Sequence, residues 1–80
     1  MRLTETAHRL LRRLSQKDAH LIFLPAHGQF CFGLGMAIVN PARQVTVDVL
    51  IRPGLIARDK AMNLPTYRIS GKGERFLALR

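Results

Sequence analysis

Thirteen Lys and Arg side chains stand against five Asp and Glu in this 80-residue chain, leaving a formal charge of +8. Ten of the thirteen are Arg; the lysines are Lys17, Lys60 and Lys72. A guanidinium presents a planar fork of donors that matches phosphate or carboxylate oxygens in pairs. An excess of this size costs self-repulsion unless a polyanion or an acidic surface gains from it. Nucleic acid is the first partner class implied, an acidic protein surface the second. The bases fall in two groups. Arg9, Arg12, Arg13 and Lys17 form an N-terminal patch, and Arg58, Lys60, Arg68, Lys72 and Arg75 form a C-terminal one.

Other chemistries find little to work with. The acids Glu5, Asp18, Asp48, Asp59 and Glu74 are scattered, so no pair is placed for general acid–base work. His20, His27 and Cys31 are spaced by seven and four residues with no fourth ligand beside them, which fits no zinc pattern. They read as surface histidines and a buried apolar thiol. Gly33-Leu34-Gly35 lacks the third glycine and following helix of a dinucleotide loop. The expectation is a protein that is not an enzyme and needs no metal or cofactor. A single cysteine leaves no internal disulfide and points to a reducing cytoplasm. No run reaches the roughly 18–20 apolar residues of a membrane span, and Met1-Arg2-Leu3 opens no signal-peptide core.

The elements that must carry these residues follow from periodicity. The hydrophobic share of 48% suits one globular domain over residues 1–80. Leu3, Ala7, Leu10, Leu11 and Leu14 make one apolar stripe, predicting a helix over 3–16 with Thr4 as N-cap and Glu5 in its first turn. Leu21–Leu24, stopped by Pro25, and Phe30–Phe32 predict a short β-hairpin, with Gly33-Leu34-Gly35 as a break. Residues 41–52 read two ways. Asn40 and Pro41 suit a helix start and Arg52-Pro53-Gly54 a stop. Val45, Val47, Val49 and Ile51 alternate as in a strand, with 40–43 as a turn, and local pattern alone leans that way. Residues 55–58 and 66–69 predict a hairpin around a polar tip from Asp59 to Pro65, and Ser70 caps a last helix running towards Arg80. Phe23, Phe30, Phe32 and Phe76 are expected in the core.

Gly54-Leu55-Ile56, followed by Tyr67-x-Ile69-Ser70-x-x-Gly73-x-x-x-Leu77, resembles the winged helix-turn-helix proteins over residues 45–79. The resemblance implies an α+β, winged-helix-like fold: N-terminal helix, short hairpin, central helix (or strand) 41–52, hairpin wing 55–69 and short C-terminal helix. That family carries two helices before its wing, whereas residues 20–39 here read as extended, so a truncated form is implied.

In such a fold the wing and the last helix lie along phosphates, giving Arg58, Lys60, Arg68, Lys72 and Arg75 as contacts. Arg43, Gln44 and Thr46, at the start of the central segment, would face base edges. The expected function is binding of double-stranded DNA by a small cytoplasmic protein, with a regulatory role and a homodimer both open. The alternative is a phage-type interaction module, anti-CRISPR proteins being one example, that docks on a host protein complex. Exposed Val45 and Val49 would favour that second class.

Overall fold

A computed structural model describes residues 3–79, and at Val39 the backbone alone. Met1, Arg2 and Arg80, towards which the last helix is expected to run, lie outside the described residues. The leucine stripe forms α1 (Glu5–Leu14), which buries Ala7, Leu11 and Leu14 at successive turns of one face. The Thr4 hydroxyl accepts from the Ala7 amide at 3.1 Å, and Glu5 at the start with Arg12 and Arg13 at the end suit the helix dipole. After Ser15 the chain reverses through Asp18 at φ 64°, a left-handed angle that Asp tolerates better than most residues. The Asp18 carbonyl then accepts from the Gly35 amide at 2.9 Å, tying the end of α1 to the next hairpin turn.

β1 (Ala19–Leu24) and β2 (Gln29–Leu34) pair antiparallel from Ala19↔Leu34 to Leu24↔Gln29. The expected break at Gly33-Leu34-Gly35 is displaced: Gly33 and Leu34 lie within β2, and the turn falls at Gly35-Met36. A third strand follows that the sequence pattern does not announce, β3 (Ala37–Ala42). It pairs Phe32↔Asn40, Cys31↔Pro41 and Phe30↔Ala42, with a bulge at Phe32/Gly33. Asn40 and Pro41 are therefore neither a helix start nor a turn. β3 is an edge strand, where a proline's missing N–H removes no bond from a neighbour on the open side.

The valine-rich segment is α2 (Gln44–Ile51), not a strand. Val47 and Leu50 are fully buried three residues apart, and burial at that spacing outweighs the local β preference of three valines. Gly54, at φ +78°, closes the helix: its amide donates to the Ile51 carbonyl at 2.9 Å and the Leu55 amide to Leu50 at 3.1 Å. Those two bonds satisfy helix-end carbonyls while Leu50 and Leu55 both enter the core.

β4 (Ile56–Arg58) and β5 (Thr66–Ile69) then form the expected hairpin, and α3 (Gly71–Ala78) starts at Ser70. The Ser70 hydroxyl accepts from the Gly73 amide at 3.1 Å and donates to the Gly54 carbonyl at 2.6 Å, joining the ends of α2 and α3. Gly73 is buried against the Leu55 carbonyl and Ile69, so close that a Cβ has no room.

The five strands order as β3-β2-β1-β5-β4, all neighbours antiparallel. The three helices cover one face of this sheet, where Leu21, Phe30, Phe32 and Ile56 meet Leu11, Leu14, Val47 and Leu50. Phe23 and Phe76 flank the cluster, as expected of core aromatics. The coarse result is a small α+β fold with three helices on an antiparallel sheet. Between α1 and α2 stands a three-stranded meander.

Candidate nucleic-acid interface

α1 presents Thr6, Arg9, Leu10 and Arg13 along one side, at the three- and four-residue spacing that stacks side chains on a helix. That side faces the junction where β3 ends and α2 begins. Between them lies an open groove of about 270 Å³, floored by Leu10, Pro41 and Ala42 and edged by Arg9, Arg13, Arg43 and Thr46. Three guanidinium-bearing residues and no acid line it. Arg13 is held in place by the ring of Phe32, its guanidinium carbon 5.3 Å from the ring centre. Arg9 bonds Glu5 at 3.1 Å, but both side chains are exposed, so the pair is weak and open to exchange.

The start of α2 adds to this. Its N-cap is Arg43, whose side chain makes no capping bond. The amides of Gln44 and Val45 have no acceptor among the described residues. First-turn amides left open in this way favour an anion. Gln44 is less free than a base-reading residue needs to be, since its amide nitrogen donates to Asp48 at 2.8 Å.

The C-terminal basic residues are placed differently. Arg58 pairs across the hairpin with Tyr67, and Arg68 with Ala57, so the two arginines leave opposite faces of the β4–β5 hairpin. Arg68 donates from Nε to Asp59 Oδ2 at 2.9 Å. That bond, with a second from the Ala61 amide, holds the Asp59 carboxyl below the usual carboxylate range. Lys60 is exposed at the hairpin tip, and Lys72 and Arg75 are exposed on α3, with the Lys72 stem beside Gly54. Arg58 and Arg68 thus do not share one surface.

No family model, curated protein or solved structure matches the chain.

The structure brings Arg9 and Arg13 of the N-terminal patch together with Arg43 and Thr46, which the sequence sets apart at the start of the central segment. Arg12 and Lys17 are exposed outside the groove. The groove also recruits Thr6, Pro41 and Ala42, which sequence reasoning missed. Thr6 was legible as the residue three before Arg9 on the same helix face. Pro41 and Ala42 were not, because β3 has no alternating signature. Among the described residues no three of His, Cys, Asp and Glu gather as metal ligands; Cys31 is buried, His20 half-buried and His27 exposed. No helix of the described residues is long and apolar enough to cross a membrane.

Proposed function

We propose that this protein binds nucleic acid, double-stranded DNA in the first instance, through the Arg9–Arg13–Arg43 groove. The observation that carries the reading is the convergence of three arginines from two elements on the open start of α2, inside a chain of charge +8. Guanidinium forks and unsatisfied amides both match phosphate oxygens. Thr46 supplies a hydroxyl at the same place. Arg58, Lys60, Lys72 and Arg75 act as secondary phosphate contacts from the flank; Arg68, held by Asp59, does not take part. The winged-helix-like succession of α2, Gly54, wing and Ser70-capped α3 supports the same reading, with α1 and the meander standing where a helix pair would be.

Contacts of this kind give affinity without sequence preference, and the affinity falls steeply with salt. Anisotropy of a labelled duplex at two ionic strengths tests the reading. Binding at low salt that weakens as salt rises is expected; absence of binding at low salt overturns it.

Val45 supports a second reading, docking on an acidic protein. It is 63% exposed at the start of α2, an apolar side chain beside a basic groove, while Val49 is only half-exposed. A partner retained from nuclease-treated lysate, and lost with Val45→Glu, would support this reading over the first.

A further inference from the structure

The face of the sheet opposite the helices is covered only in part: Cys31 and Thr66, paired beside Ile22, are buried there, while its flank is exposed. Side-chain alternation puts His20, Ile22, Ile38 and Arg68 there, and together with Asp18, Met36 and Met62 they border a shallow depression of about 450 Å³. Met36 is fully exposed, Ile38 56% and Met62 43%, a grouping of large apolar side chains that a monomer does not ordinarily leave in water. We propose that this face is the interface of a homodimer, two copies packing sheet against sheet about a two-fold axis.

Charge selects a second copy over another partner. Among the described residues the charged ones lining this depression are Asp18 and Arg68, one of each sign. An acidic partner drawn by the net charge finds no cation surplus here, and two strongly basic chains meet here without their surplus charges opposing. A two-fold interface also demands that one patch complement itself. The Asp18 carboxylate has no partner among the described residues, and Arg68 commits only Nε to Asp59. Asp18 of one copy can therefore face the terminal nitrogens of Arg68 in the other. Edge-to-edge pairing is discouraged instead, by Pro41 on β3 and by the three-residue length of β4.

The consequence concerns function, and this part rests on the DNA reading above. The arginine groove lies on the helix side, so a back-to-back dimer carries its two grooves on opposite outer faces. Such a dimer joins two duplex segments; it does not span adjacent half-sites on one.

Sedimentation velocity on the full, nucleic-acid-free chain tests the interface without reference to DNA. A mass twice the 9.0 kDa of the chain is expected. Ile38→Glu and Met62→Glu should each give monomer with unchanged circular dichroism, while Val45→Glu on the helix side keeps the dimer. Asp18→Asn, which keeps a residue type that accepts a left-handed φ, should weaken the dimer severalfold. A monomer at the highest soluble concentration overturns the interface, as does a dimer that Ile38→Glu leaves intact. Capture of a second labelled duplex on bead-bound duplex then reads joining: wild type captures it and Ile38→Glu does not. A dimer that binds no duplex at all leaves the interface standing and ends the DNA reading; a dimer that binds one duplex but captures no second overturns the joining role.

Discussion

Arg9 sits between two anions, the Glu5 carboxylate at 3.1 Å and the phosphate it is proposed to meet. Removing the competitor should help the ligand. Glu5→Gln is expected to tighten duplex binding about two- to threefold, since exposed pairs of this kind are worth only ~0.2–1 kcal/mol; anisotropy titration checks it. Asp59 behaves in the opposite sense. The Arg68 bond, then the Ala61 amide, lower its pKa in the folded protein below the ordinary 3.8. A carboxylate depressed on folding contributes stability above its unfolded pKa and loses it as pH falls through the folded value. The hairpin-tip latch should therefore hold through neutral and mildly acidic pH and open below 3.8. The Arg68 Nε–H resonance followed by NMR against pH reports this: persistence to below that value is expected, and loss well above it would contradict the latch. The second pair was not readable beforehand, because Asp59 and Arg68 are nine residues apart and meet only once the hairpin closes.

Among the elements, those whose signals are local and agree with each other were legible. The α1 stripe, the Gly54 stop, the hairpin around residues 59–65 and the Ser70 cap all stand as read. The failures lie where local preference and tertiary packing disagree. Alternating valines favour a strand at 45–51, yet burial of Val47 and Leu50 against α1 and the sheet makes that segment helical. Asn40-Pro41 resembles a helix start and is instead the end of an edge strand, a place open to proline because one side is unpaired. The joint between α2, the β4–β5 hairpin and α3 carries the sharpest prediction. Gly73→Ala drives a methyl group into the Leu55 carbonyl and Ile69 and should cost about 1–3 kcal/mol of stability. Ser70→Ala loses the α3 cap and the bond to Gly54, about 1 kcal/mol. Urea unfolding of both variants gives the ranking, with Gly73→Ala the more damaging.

At the scale of the molecule, the sheet separates two kinds of surface. Helices and the arginine groove occupy one side; a partly apolar face bordered by one acid and one base, Asp18 and Arg68, occupies the other. The net charge was legible in the composition, but its arrangement was not. Grouping bases by position along the chain puts Arg58 with Arg68 and parts Arg43 from Arg9, whereas folding does the reverse. Strand alternation separates the first pair, and packing of α1 beside the β3–α2 junction joins the second. The most direct measurement compares the salt dependence of duplex binding for two triple variants. One is Arg9, Arg13 and Arg43→Gln, the other Arg58, Lys60 and Lys72→Gln. Each phosphate contact contributes about 0.9 to the slope of log affinity against log salt. The groove variant should lower that slope by about 2–3 and the flank variant by about 1 or less. Equal losses, or a larger loss from the flank variant, would contradict the placement of the interface in the α1–α2 groove.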